Sequence, residues 1–268
     1  MKKYFIFVLF SLMALSCNNE KDSGPGKQPL ADAREKELME SISLYPDSLL
    51  LREDLIQYYR EIGNYERAIA ETNHTILLDS NLARLWEIKG SLYFENEDSV
   101  NAIKAYERAV KLSPDPKYIN ALGILYARTS NVKALEMANA LSTGKNSKKD
   151  KDALFIKGLY HTYMGNKQKA IAYFDSCIAE DYTFMFAYRE KAIALYDLGK
   201  YEEALNLLKK AVTLQNNFEE GYYWSGKCLE KLKRTAEAIE NYQTALFYDP
   251  EYVEAKAELA RLGAAGGN

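Results

Sequence analysis

Two histidines, three cysteines and several adjacent carboxylates are the residues of this 268-residue chain whose chemistry could make or break a bond. Their spacing points away from catalysis. His74 and His161 are too far apart along the chain to share a metal ion, and neither is read as having a carboxylate or cysteine at ligand spacing. No Gly-x-Ser-x-Gly elbow, His-Glu-x-x-His helix or glycine-rich phosphate loop occurs. Pairs such as Glu202-Glu203 and Lys209-Lys210 fall on the outward faces of helical patterns, where water satisfies them. No catalytic residue, metal site or cofactor is expected, and the chain does not read as an enzyme. A formal net charge of −3 without a long basic stripe argues against nucleic acid as the partner. Cys177 and Cys228 lie in different helical segments and are expected to be buried small apolar residues, not a disulfide.

What the sequence does supply is a scaffold. Windows beginning at Leu49, Ala83, Lys117, Lys151, Met185 and Glu219 follow one another every 34 residues, and the same residue types return at the same offsets. Offset 8 holds Ile56, Gly90, Gly158, Ala192 and Gly226, and offset 20 holds Ala68, Ala102, Ala170, Ala204 and Ala238. Offset 24 holds Thr72, Tyr106, Phe174, Leu208 and Tyr242, and offset 27 holds Thr75, Ala109, Cys177, Ala211 and Ala245. Small residues at offsets 8, 20 and 27 let two antiparallel helices approach, while bulky ones at offsets 4, 11 and 24 fill the space between them. Gly63, Gly165 and Gly199 mark the turn between the two helices, and Pro114 and Pro250 stop the second helix before the next unit. Neither helix can bury its apolar stripe alone, so the units must stack on one another.

These offsets resemble the tetratricopeptide repeat family. The resemblance implies an all-α fold, a right-handed superhelix (α-solenoid) of about six helix-turn-helix repeats with capping helices. Its repeats are expected at 49–82, 83–116, 117–150, 151–184, 185–218 and 219–252. A capping helix is expected within 31–48, where Ala33 to Leu44 reads as a second helix without its first, and a polar-backed closing helix and tail at 253–268. The third window departs from the pattern. Its glycine, Gly123, comes one place early, its second helix (Val132 to Leu141) lacks the large residue at offset 24, and a lysine-rich run follows from Thr143 to Lys151. Two readings stand: a worn repeat with a solvated loop, or a hinge or electrostatic contact surface. The stack is expected to be weakest from Val132 to Asp152.

The N-terminus reads as an address. Lys2 and Lys3 precede an apolar segment, Tyr4 to Leu15, that is too short to span a bilayer, and Ala14-Leu15-Ser16 precedes Cys17. This resembles the lipobox of bacterial lipoproteins, with residues 1–16 as signal peptide and Cys17 as the acylated (palmitate-bearing) new N-terminus. Plain secretion is the alternative. Loss of Lys2 and Lys3 would take the net charge from −3 to −5. Residues 17–30 hold almost nothing apolar and are expected to be a disordered tether with a reach on the order of 20 Å. Asn18, instead of aspartate, favours the outer membrane by the same resemblance, with the periplasmic or surface face left open. Asp47-Ser48-Leu49 and Asp98-Ser99-Val100 are similar to an O-glycosylation signal of some bacteria, although both serines also suit helix starts.

In the family, offsets 2, 5, 9, 12 and 13 of each first helix line the concave side. In the early windows these positions are largely polar, as in Glu53, Gln57, Arg60 and Glu87. In the later ones they include Phe155, Leu159, Tyr163, Phe186, Arg189, Ile193, Tyr196, Tyr223 and Lys227, an aromatic and apolar set with cations among the rings. Apolar patches of this kind bind partners, and aromatic and arginine side chains dominate interface energies. The competing reading is that some of these side chains only fill the core. Arg189 with Tyr196 and Tyr223 is the expected anchor of a partner protein. The offset-5 residues Glu53, Phe155 and Arg189 do not provide the lysine with which some family members grip a terminal carboxylate. The expected function is a membrane-tethered scaffold that holds a peptide or helix of a cell-envelope protein; glycan binding by the tyrosines is the alternative.

Overall fold

A computed structural model describes residues 28–143 and 150–264, with side chains from Ala33 onward. Among the described residues every element is a helix. They run α1 (Gln28–Leu44), α2 (Leu49–Glu61), α3 (Tyr65–Leu78), α4 (Ala83–Glu95), α5 (Ser99–Leu112), α6 (Pro116–Arg128) and α7 (Lys133–Leu141). The second half continues with α8 (Lys151–Tyr163), α9 (Lys167–Glu180), α10 (Met185–Asp197), α11 (Tyr201–Leu214), α12 (Glu219–Lys231), α13 (Thr235–Tyr248) and α14 (Val253–Arg261). Each helix packs on the next, and α2/α3 through α12/α13 are the six repeated pairs. The fold is the solenoid that the offsets imply. Residues 17–27 of the expected tether and 144–149 of the lysine-rich run lie outside the described residues.

One turn geometry closes every first helix. The backbone N–H groups of Asn64, Asp98, Asn131, Asn166, Lys200 and Arg234 reach back five residues to carbonyls of the last turn, at 2.8–2.9 Å. The residue before each has positive φ. That is the Schellman arrangement, which satisfies carbonyls the helix end leaves free. Gly63, Gly165 and Gly199 fill the left-handed position as expected, but Glu97 (φ 61°), Ser130 (φ 56°) and Lys233 (φ 64°) fill it elsewhere. Side chains at φ > 0 are strained, so packing on either side of the turn sets its shape in these repeats.

The closest approach of the two helices in a repeat is set by volume. A Cβ added at Gly90 would stand 2.6 Å from the Tyr106 ring, one at Gly158 2.4 Å from Phe174, and one at Gly226 2.5 Å from Tyr242. The ring of the second helix thus lies flat against bare backbone of the first. Where the first helix is larger the second is smaller, as in Ile56 with Thr72 and Ala192 with Leu208, all of them buried. The glycine–ring repeats hold their two helices in the tightest contact. The alanines at offset 20 and the small residues at offset 27 complete the seam, each fully buried.

The third repeat solves the same problem with fewer residues. Gly123 and the left-handed Ser130 both come one place early. Ala134 then bonds to the carbonyl three residues back, at Asn131, whereas Ala68, Ala102, Ala170, Ala204 and Ala238 bond four back. The two steps leave Ala138 where the other repeats hold threonine, leucine or an aromatic ring. Ile156 of the next repeat moves in, its Cδ1 2.6 Å from where a Gly123 Cβ would be. The expected gap at Val132–Leu141 is therefore filled, and Ala134 and Ala138 belong to the core cluster that runs from Ala102 to Ala187.

At the N-terminal end, α1 lays Leu38 and Ile42 on Leu55, Tyr58 and Tyr59. A buried arginine that the sequence pattern did not single out fastens the loop before α2. Arg52 donates to the Pro46 carbonyl (3.0 and 3.1 Å) and to Glu71 (2.5 Å), and lies 2.8 Å from His74 Nδ1. His74 thus does have a carboxylate at helical spacing, Glu71 at 3.8 Å, but Arg52 sits against both. The starts of α2, α3, α5, α6 and α8 are capped by the side chains of Ser48, Asn64, Asp98, Asp115 and Asp150.

Ala204 is fully buried in the seam of α10 and α11. Ala204→Trp should destabilise the chain by about 1–3 kcal/mol or more through overpacking. A urea-unfolding midpoint unchanged from the parent would contradict the seam.

Candidate binding groove

The first helices lie on the inside of the curve, where α6 packs on α8, α8 on α10 and α10 on α12. Side chains at the groove offsets meet from one first helix to the next. Arg84 reaches Glu53 at 2.6 Å, Arg60 pairs with Glu95, Arg189 reaches Glu220 at 2.5 and 2.7 Å, and Lys227 reaches Glu258 on α14 at 2.5 Å. Every such ion pair ties neighbouring repeats together along the inner face. An open polar pocket of about 340 Å³ lies between α2 and α4, lined in part by Glu53, Gln57, Arg60, Arg84 and Glu87.

In the second half the expected set divides. Phe155 and Leu159 are core residues, not groove residues: they are only 6% and 2% exposed. The reason is Phe184, from the turn before α10, whose ring meets Phe155 edge-on at 5.1 Å while Phe174 meets it from behind at 5.9 Å. Leu159 belongs to the same cluster. Tyr163 and Phe186 are about half exposed, at 48% and 52%. Phe186 ends a ladder of rings that leads from the core through Phe155 and Phe184 to the surface, with the Arg189 guanidinium 5.2 Å from its centroid.

Arg189 is not a free cation. Besides Glu220 it bonds Glu190 at 3.0 and 3.2 Å, and its side chain is 16% exposed. Burial works to lower its pKa, but the two carboxylates outweigh it and hold the guanidinium above its ordinary value. Glu220 was missed in the sequence because it lies a whole repeat away. Ile193 is half-buried. Tyr196 is wedged between Tyr201 (5.2 Å) and Trp224 (5.7 Å), and Tyr223 touches Trp224, Tyr242 and Tyr252. Burial, reinforced by Glu258 and Glu254, pushes the Tyr223 hydroxyl up to about 12. Both tyrosines are therefore packed among neighbouring rings. The C-terminal end opens into a pocket of about 320 Å³ lined by Tyr196, Lys227, Glu230, Lys231, Lys233 and Arg261. Glu230 is occupied by Arg261 and by the Tyr242 hydroxyl, at 2.7 Å.

Cys177 and Cys228 are buried in separate clusters, and burial pushes both thiols up to about 12, where they are unreactive. His161 stacks on Tyr173 at 5.5 Å, and burial lowers its pKa, with Lys169 adding to the shift. Among the described residues no three His, Cys, Asp or Glu side chains stand close enough to hold a metal ion.

Comparison with known proteins agrees with this architecture. A family model described as "Tetratricopeptide repeat" matches residues 83–116, 151–183 and 219–252, and one described as "TPR repeat" matches 193–233. A tetratricopeptide repeat protein from Parabacteroides merdae superposes with a TM-score of 0.72 at 19% identity, over 88% of this chain and 93% of that one. PilW, a type IV pilus biogenesis factor, gives 0.59 at 18% identity over 78% and 97%. Among curated proteins, the DnaJ homolog subfamily C member 7 homolog of Schizosaccharomyces pombe is 24% identical over 206 residues, covering 77% of this chain and 40% of that protein. The Hsp70-Hsp90 organizing protein of Triticum aestivum is 22% identical over 253 residues, covering 88% and 41%. The chain thus spans about two fifths of the length of these curated relatives.

The ring ladder is steadied from below by Lys151, whose Nζ stands 5.0 Å from the Phe184 centroid and donates to Asp181 at 2.5 Å. That bond, with those from the Thr183 hydroxyl and backbone N–H, holds Asp181 at about 2 against an ordinary value of 3.8. Because the folded value is depressed, the stabilisation is present in full above the ordinary value and is lost as pH falls through about 2. Lys151→Met should bring the Asp181 titration, followed by its carboxyl carbon resonance, back toward 3.8. An unchanged low value in the variant would contradict the assignment.

Proposed function

The chain belongs to the tetratricopeptide repeat family, and we propose that it is a scaffold holding a peptide or helix of a partner protein in its concave groove. The observation that carries this reading is the pair Tyr163 and Phe186. They remain half exposed at first-helix positions while the surrounding rings are drawn into the core. Large apolar side chains left open beside a charged rim are the anchors of protein interfaces. Glycan stacking on the tyrosines is less favoured, because Tyr196 and Tyr223 are committed to Tyr201, Trp224, Tyr242 and Tyr252.

By this proposal the partner belongs to the bacterial cell envelope, with Cys17 as lipid anchor and the outer membrane as the favoured site. The support is the charged start, the short apolar segment and the break before Cys17 in the sequence. One curated relative is named for organizing Hsp70 and Hsp90. In this chain the offset-5 residues give no free lysine to grip a terminal carboxylate: Glu53 and Arg189 are ion-paired and Phe155 is buried. A partner met through apolar anchors fits better.

Two experiments test the two parts of the proposal. Cys17→Ala should move the protein from the membrane to the soluble fraction; unchanged membrane association at equal yield would defeat the anchor. Tyr163→Ala with Phe186→Ala removes two exposed side chains while leaving every member of the ion pairs in place. It should cut recovery of a cross-linked envelope partner by about tenfold or more at an unchanged melting temperature. Full recovery would move the interface off this groove.

A further inference from the structure

The third repeat carries a feature of a different kind. An apolar slot of about 190 Å³ opens on the inner side between α4 and α6, lined by Phe94, Tyr106, Ala121, Ile124 and Leu125. Its cause is a single small residue. Two places before the close-packing position of the first helix stand Asp54, Ile88, Ile156, Glu190 and Trp224 in the other repeats, and Ala121 here. The missing side-chain volume leaves Phe94 39% exposed, although Tyr106 behind it is nearly covered.

Two polar features flank the slot on the same face of α6, since Asn120, Ile124 and Arg128 follow one another at four-residue spacing. Arg128 stands with its guanidinium 5.5 Å from the Phe94 centroid and has no carboxylate partner among the described residues. Elsewhere on this inner face the arginines Arg60, Arg84 and Arg189 are all paired. At the other end, the Asn120 side-chain oxygen is buried without a hydrogen-bond donor.

We infer that the slot between α4 and α6 receives one leucine- or phenylalanine-sized side chain of a partner protein segment that carries an aspartate or glutamate within one or two residues of it. The apolar side chain fills the volume that Ala121 leaves, and the carboxylate pairs with Arg128 at the rim. One or two residues is the separation because Arg128 lies directly over Phe94, a wall of the slot, and an extended chain advances about 3.3 Å per residue. The slot is separate from Tyr163 and Phe186, so it stands or falls independently of the groove assigned above.

The test uses the full chain and fluorescein-labelled 12-residue synthetic peptides in a Gly/Ser background. One set carries Phe or Leu at the centre with Asp one or two places away on either side. Control sets replace the apolar residue by Ala or the Asp by Lys. Binding is read by anisotropy, and its place by methyl resonances of Ala121, Ile124 and Leu125. The apolar–acidic peptides should bind and shift those methyls, and both controls should bind at least tenfold more weakly. Ala121→Leu, which fills the slot, should weaken binding at least tenfold at an unchanged melting temperature. Should that variant be unstable, Phe94→Ala on the opposite wall serves instead. Arg128→Glu should reverse the preference toward the Lys peptides. The proposal is overturned if no peptide shifts these methyls at millimolar concentration. It is equally overturned if binding survives both slot variants, or if Arg128→Glu leaves the charge preference unaltered. A soluble glycan that shifts the same methyls where the peptides do not would overturn the assignment to a protein segment.

Discussion

The stack depends on how closely the two helices of a repeat can approach at one crossing point. There the sum of two side-chain volumes is held nearly constant: glycine against tyrosine or phenylalanine, alanine against leucine, isoleucine against threonine. Interiors are close-packed, so a mismatch in either direction is felt. An extra methyl at Gly158 has no space before it meets Phe174. A smaller residue at the ring would leave a void with nothing to fill it. The third repeat shows how strongly the rule acts, because the ring is absent there and an isoleucine from the following repeat occupies its place.

From that crossing follows the division of labour between faces. With the second helices engaged in the seam, the first helices turn their remaining side chains inward along the curve. Charges on that face are mostly paired from repeat to repeat, as in Glu53 with Arg84, Arg189 with Glu220 and Lys227 with Glu258. These pairs are partly buried, and they settle which groups stay open to a partner. Among the side chains that stay open are the apolar Phe94, Tyr163 and Phe186, together with the cation Arg128, which has no carboxylate partner among the described residues. The inner face is therefore less a field of charge than a few uncovered contacts between neutralised pairs.

The repeat spacing, the buried alanines and the glycine turns were all legible in the sequence, because each follows from a residue type at a fixed offset. The site was legible only in part. Phe155 and Leu159 stand at groove offsets, yet Phe184 from a connecting turn closes over the first, a contact that helical spacing cannot show. Arg189 looked like an anchor because its partner Glu220 is close only once two repeats are stacked. Glu97 and Lys233 hid two left-handed turns behind side chains that seldom adopt them. In the third repeat the early glycine was visible, but the compensating move of Ile156 was not, since it belongs to the packing of a neighbouring unit. Local rules carried the architecture, and contacts between units decided the site.

The volume rule is tested most directly by a double-mutant cycle at Gly158 and Phe174. The double change Gly158→Ile with Phe174→Thr copies the Ile56–Thr72 pair of the first repeat, where the threonine hydroxyl is satisfied by the Ala68 carbonyl at 2.7 Å. Each single change should be destabilising, by about 1–3 kcal/mol for overpacking and about 3–5 kcal/mol for the void. The double variant should recover at least ~1 kcal/mol relative to the sum of the singles in equilibrium urea unfolding. Additive losses, or a double variant worse than the sum, would contradict the account.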